Sequence, residues 1–188
     1  MTKLSNLLSD LGCCSESKEW AKDYESYKSA WGACDRPDWI LTLLEKLNYD
    51  RIQLRLIGAW CARNTPLSDG RTTWDLLTDE RSKHAIEVAE NPESTEEELE
   101  TVFYAALSAA NSATNSAASS AANSAALSAA NSATNSAASS AANSAAYYAT
   151  NFAADSAAAC KAQADYIRSV IKLSDVIKLI KQREKELA

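Results

Sequence analysis

The chain has 188 residues, a formal net charge of −6 and 46% hydrophobic residues. An acid excess argues against a nucleic-acid ligand, whose phosphates must be neutralised by cations, and suits a basic protein partner. No stretch reads as a transmembrane span, and the amphipathic N-terminus has too short an apolar core for a signal peptide, so a cytoplasmic protein is expected.

Composition divides the chain unevenly. All five tryptophans precede residue 75, and all four glycines and three prolines precede residue 93. Residues 1–100 carry 20 acids and 12 bases, hence −8; residues 101–154 carry no charge; residues 155–188 carry 5 acids and 7 bases, hence +2. The absence of Gly and Pro after residue 92 is what long helices require. The expected fold is all-α: an N-terminal bundle of short helices, then a long Ala/Ser/Asn tetrapeptide-repeat helical region, curved or folded back. The expected divisions are an acidic helical domain over 1–92, the Ala-rich repeat helix over 93–160, and one or more C-terminal helices over 161–188.

In chain order, Leu4, Leu7, Leu8 and Leu11 at i, i+3, i+4, i+7 predict a short amphipathic helix closed by Gly12. Ser15 or Ser17 is expected to cap a second helix whose aromatic stripe, Trp20, Tyr24, Tyr27 and Trp31, runs to Gly32. Core packing is the favoured reading of that stripe, and a ligand-binding aromatic face is the alternative. Asp35 is the predicted N-cap of the next helix, with Pro37 in its first turn and Trp39, Ile40, Leu43, Leu44 and Leu47 as its core face. Asp50 caps a fourth helix carrying Ile52, Leu56, Ile57, Trp60 and Cys61, interrupted in propensity by Gly58. A turn-rich loop, 63–70, leads to a short helical turn anchored by Trp74.

Asp79 caps the helix Glu80 to Glu90, whose apolar positions are Ala85, Ile86 and Ala89. His84 reads as a surface residue of that helix, because no nucleophile or metal partner accompanies it. The five cysteines, 13, 14, 34, 61 and 160, have no CxxC spacing and read as mostly buried thiols in a reducing compartment. Asn91-Pro92 ends the helix. Ser94 with Glu97 forms the predicted capping box of the following one. Five acids, Glu93, Glu96, Glu97, Glu98 and Glu100, crowd its start. They complement the positive end of the helix dipole, or they form an acidic docking surface; they are the candidate partner-binding residues.

From Ser108 the chain runs in tetrads, SAAN SATN SAAS SAAN SAAL, and the blocks Leu107–Ala126 and Leu127–Ala146 are identical. Alanine in the second position of every tetrad favours helix; uncharged low-complexity disorder is the alternative. Four residues turn an α-helix by about 400°, so the alanine stripe drifts about 40° per tetrad and suits a supercoiled path. A straight helix from Thr95 to Ala159 would be roughly 100 Å long, which favours bending back. Thr114, Thr134 and Thr150 are spaced unevenly and build no flat threonine face of the ice-binding kind. After Cys160, the stripes Ala164, Ile167, Val170, Ile171 and Val176, Ile177, Ile180 predict two helices with a break at Ser174.

Arg36-Pro37-Asp38-Trp39, Cys61-Ala62-Arg63, Asp79-Glu80-Arg81-Ser82, the run Ala85–Ala89, the alanine tract and Gln163 together resemble the alanine-rich immunity proteins of bacterial polymorphic toxin systems and phages. The resemblance spans roughly residues 30 to 172 and differs in its Ser and Asn spacers. It implies a non-enzymatic inhibitor that binds and neutralises a toxin, with no cofactor and no catalytic residue to carry over. The alternative is a phage-encoded protein that binds or sequesters a host-defence component or its nucleotide signal. A structural or assembly module is a third reading. Enzyme chemistry is disfavoured, since no carboxylate pair combines with a nucleophile, Gly-rich loop or metal set.

Overall fold

The computed structural model describes residues 2–67, 69–112 and 156–187. The path of the tetrapeptide repeats beyond residue 112, and whether it is straight, curved or folded back, lies outside the described residues. Within them the fold is all-α, and the one extended pairing is an isolated antiparallel bridge between Pro66 and Thr72.

Helix α1 (Lys3–Asp10) starts at Thr2, whose side chain accepts from the Ser5 N–H. It ends as its leucine spacing predicts. Gly12 takes φ +68°, Gly12 N donates to Ser9 O and Cys13 N to Leu8 O, so two orphan carbonyls are satisfied. The aromatic segment differs from expectation. It is two short helices, α2 (Ser15–Trp20) and α3 (Tyr27–Ala33), joined by a 3-10 turn, Ala21–Asp23, and an extended Tyr24. Cys14, not a serine, precedes α2; Ser17 is buried inside it, and Ser26 caps α3 by accepting from Ser29 N. The cap formed by Ser26 starts a new helix where aromatic spacing alone suggests continuity.

Helix α4 (Pro37–Lys46) has Pro37 at its first position, and its N-cap is Arg36 rather than Asp35. Ile40, Leu41, Leu44 and Leu47 are buried; Leu41, absent from the predicted face, is fully so, while Trp39 and Leu43 are half-buried. The helix closes like α1, with Asn48 at φ +53° in place of glycine and Tyr49 N donating to Leu44 O. Asn tolerates this left-handed conformation better than most side chains.

Helix α5 (Arg51–Asn64) is capped by Asp50, which accepts from Gln53 N at 2.8 Å. It is buried on two sides, which is why its sequence shows weak amphipathicity. Leu54, Ile57 and Cys61 join the principal core, and Ala59 and Ala62 join a second cluster with Leu77, Ile86, Ala89 and Leu99. Gly58 is also buried, and the helix runs through it. Ile52, one of the apolar residues of this helix, is exposed. A 3-10 turn, Thr73–Leu76, leads to α6 (Glu80–Glu90). Asp79 caps α6, and Ala85, Ile86 and Ala89 are fully buried as the spacing predicts. Trp74 lies under the Arg63 guanidinium at 3.6 Å, and Arg63 grips Glu90 through Nε and Nη2.

Helix α7 (Glu96–Ser112) packs against α6 through Ala85, Val102 and Ala106. Its capping box is displaced by one residue from the predicted Ser94–Glu97 pair. Thr95 Oγ1 accepts from Glu98 N at 3.2 Å, and Glu98 Oε2 accepts from Thr95 N at 2.8 Å. Ser94 instead donates to Val88 O at 2.8 Å, satisfying a carbonyl at the end of α6.

Helices α8 (Ser156–Val170) and α9 (Leu173–Leu187) complete the described chain. The break falls at Ile171–Lys172, and Ser174 lies inside α9. Val170, predicted apolar face, is exposed, whereas Ile167 and Ile171 are buried. Ala164, Ile167, Ile171, Val176 and Ile180 belong to the same cluster as the α1, α4 and α5 side chains. The C-terminal helices are thus part of the N-terminal core, and the compositional divisions at residues 92 and 160 do not divide it. Arg168 fastens the joint by donating to Trp31 O and Cys34 O at the end of α3, and it pairs with Asp165 and Asp35. Asp35 therefore serves tertiary pairing rather than capping.

Candidate functional site

The acidic run lies at the corner where α6 turns into α7. Asn91 ends α6, its Oδ1 accepting from Glu93 N at 3.1 Å, and Thr95 starts α7. So short a connection lays the two helices antiparallel, side by side. Arg55 of α5 holds the corner from beneath, with Nη2 donating to Asn91 O at 2.9 Å and Pro92 O at 3.2 Å. Burial presses its pKa down; among the described residues no carboxylate forms an ion pair with it, and its Nε is buried with no hydrogen-bond partner.

All five predicted glutamates are exposed. The structure does not gather them onto one surface. Glu97 and Glu98 line a groove of about 470 Å³ between α6 and α7, together with His84, Glu87, Val88 and Thr101. Glu96 faces the other way, into a cavity of about 290 Å³ that also contains Arg51, Arg55 and Leu99. Glu93 and Glu100 line neither. The residue that sequence reasoning missed is Glu87. Its signal was available: the short connection folds α6 against α7, which brings acids on the two helices to one groove.

The groove is lined by three carboxylates and by no lysine or arginine. Elsewhere several carboxylates have a basic partner, as in Glu19–Lys22, Asp69–Arg71, Asp79–Arg81 and Asp175–Lys178. Within the run, Glu93, Glu96, Glu97, Glu98 and Glu100 enter no ion pair among the described residues. The Thr95 N–H and hydroxyl bonded to Glu98 hold its carboxyl below the usual range. His84 is exposed, and its Nδ1 lies 3.7 Å from Glu87. It sits in the groove, where the two hydroxyls of the lining, Ser94 and Thr101, donate to the Val88 and Glu97 carbonyls.

A second concavity lies between α1, α2, α3 and α4. Its volume is about 510 Å³, and Trp20, Tyr27, Trp31 and Trp39 line it above a floor that includes Leu4, Leu8 and Ile40. The four aromatic rings are half-buried. Trp20 meets Tyr24 at 4.4 Å and Trp39 at 5.7 Å between centroids. The Arg36 guanidinium lies 4.5 Å over Trp39 and is chelated by Asp38 through Nε and Nη2. The aromatic stripe is therefore only partly core.

Among the described residues, no three His, Cys, Asp or Glu side chains converge to hold a metal, and no helix is long and apolar enough to cross a membrane. None of the five cysteines is in a disulfide; Cys13, Cys34 and Cys61 are buried, Cys160 is half-buried and Cys14 is exposed. Comparison with protein-family models, with curated proteins and with solved structures finds no match.

Proposed function

We propose that the chain is a non-enzymatic immunity or inhibitor protein that binds and neutralises a basic protein toxin in the cytoplasm. The observation that carries the reading is the α6–α7 groove, where Glu87, Glu97 and Glu98 line a concave surface without a neutralising lysine or arginine. Such uncompensated charge favours encounter with a positively charged partner and rejects acidic ones. The neighbouring Glu93 and Glu100, exposed and without an ion-pair partner among the described residues, extend the negative field around the corner. The resemblance to alanine-rich immunity proteins agrees with this reading.

Sequestration of a nucleotide signal is less well supported. Phosphates need cationic partners, and the aromatic cleft offers one arginine already tied to Asp38. Sequestration of a basic host-defence protein would use the same groove as toxin binding, and the experiment distinguishes the two.

Affinity capture from the producing cell with the wild-type chain should retain a basic protein at low salt and release it as salt rises. The triple variant Glu87→Lys, Glu97→Lys, Glu98→Lys should lose it. Expressed alone, the captured protein should arrest growth, and co-expression of this chain should relieve the arrest. Equal retention by the triple variant would overturn the groove assignment. A captured protein that is not toxic would move the reading to host-defence sequestration.

A further inference from the structure

The cleft between α1 and α4 has the size of a small-molecule pocket, an apolar interior and a few polar groups converging on it. Four aromatic side chains that would close a simple core instead leave part of their surface facing this space. Their faces are electron-rich and attract cations. The cleft already holds one planar cation in this manner, since Arg36 lies over Trp39. The charges in the lining select further. Arg36 and Asp38 neutralise each other in a bidentate pair, with distances of 2.8 and 2.6 Å. Glu16 makes no contact ion pair among the described residues: its carboxylate accepts from the Ser15 hydroxyl and feels Arg36 only at longer range. The lining thus has two acids and one base.

We infer that this cleft is a ligand site for a small planar aromatic cation, whose ring packs among Trp20, Trp31 and Trp39 and whose charge meets the carboxylate of Glu16. It is separate from the acidic groove between α6 and α7, so it stands or falls independently of the toxin-binding reading. Anionic ligands are disfavoured, because they would face Glu16 with no unpaired cation in the lining to offset it.

The test uses the full chain and two probes of the same shape and opposite charge, benzamidine and benzoate. The five tryptophans give five indole N–H signals in a nitrogen–proton correlation spectrum. Trp60 and Trp74 do not line the cleft and serve as internal controls. Benzamidine should shift the Trp20, Trp31 and Trp39 signals saturably and leave the controls in place. Benzoate should bind at least about tenfold more weakly, since it loses a favourable contact and brings a like charge to Glu16. Glu16→Gln, at an exposed position that leaves the core intact, should remove most of that difference. No saturable shift with benzamidine would overturn the site. Equal binding of benzoate, or an unchanged preference in Glu16→Gln, would overturn the charge assignment.

Discussion

Gln163 Nε2 donates to Thr65 Oγ1 at 2.8 Å, and both side chains are fully buried although 98 positions separate them. Thr65 in turn donates to Cys61 O at 2.8 Å. This relay fixes helix α8 against the C-terminal end of α5. Thr65→Val keeps the shape but removes the buried acceptor of the Gln163 amide and one of the donors to the Cys61 carbonyl. It should cost about 1–3 kcal/mol in urea unfolding. A double-mutant cycle with Gln163→Leu should show a coupling of about 0.5–3 kcal/mol, and strict additivity would show that the two side chains do not act as a unit.

The caps of the α6–α7 corner make separate contributions. Thr95→Ala removes the acceptor for Glu98 N and should destabilise by about 0.5–2 kcal/mol. Ser94→Ala removes only the bond to Val88 O and should cost about 0.5–1.5 kcal/mol. The Glu98 carboxyl is held low by the Thr95 N–H and hydroxyl, so the stability it contributes is present above its unfolded pKa. That contribution is lost as the pH falls through the lower folded value. Glu98→Gln should accordingly flatten the acid limb of the unfolding curve, measured from neutral pH downward.

Cys61 and Cys14 should differ in reactivity by orders of magnitude. Burial pushes the Cys61 thiol up to about 12, whereas Cys14 is exposed at the start of α2. A thiol-reactive dye under native conditions should label Cys14 first, and Cys61 only as fast as the chain opens. Because the folded Cys61 pKa lies above its ordinary value of 9.0, its contribution to stability is full below pH 9. Between pH 9 and about 12 the unfolded thiol ionises while the folded one does not, and stability should fall. The slope over this range should be shallower in Cys61→Ala than in the wild type.

Arg168 joins α8 to the end of α3 through two carbonyls and the Asp35 carboxylate, and it pairs with Asp165 on its own helix, with a side chain 15% exposed. Arg168→Ala should destabilise by about 1.5–3 kcal/mol, the range for charge-assisted hydrogen bonds in a protected position. Arg168→Lys should recover only part of this, because an ammonium cannot reproduce the planar fork. Chemical denaturation of the two variants measures both effects.

Helix starts and stops were legible where one side chain suffices to make them. Asp50 and Asp79 cap as read, Gly12 closes α1, and Pro37 opens α4. Where several neighbours can play the same part, the outcome depended on what else each could bind. Ser94 and Thr95 are both competent caps; the choice fell to Thr95 because Ser94 has an acceptor in Val88 O. The division of the aromatic stripe by Ser26, and the use of Asn48 in place of a glycine, are local competitions of the same kind. In the candidate site, the acids of α7 were legible as a run, but not the direction each one faces.

By itself the sequence determined the all-helical class, several helix boundaries and the uneven distribution of charge. These follow from propensity, capping and spacing, which act within a few residues. The tertiary structure alone decided that α8 and α9 share a core with α1, α4 and α5, and that Gln163 meets Thr65. It also decided that Glu87 joins Glu97 and Glu98 while Glu96 turns away. Those arrangements depend on which apolar faces meet and on which buried polar groups find partners. Such choices are settled between residues far apart in the chain, where local preference carries no information.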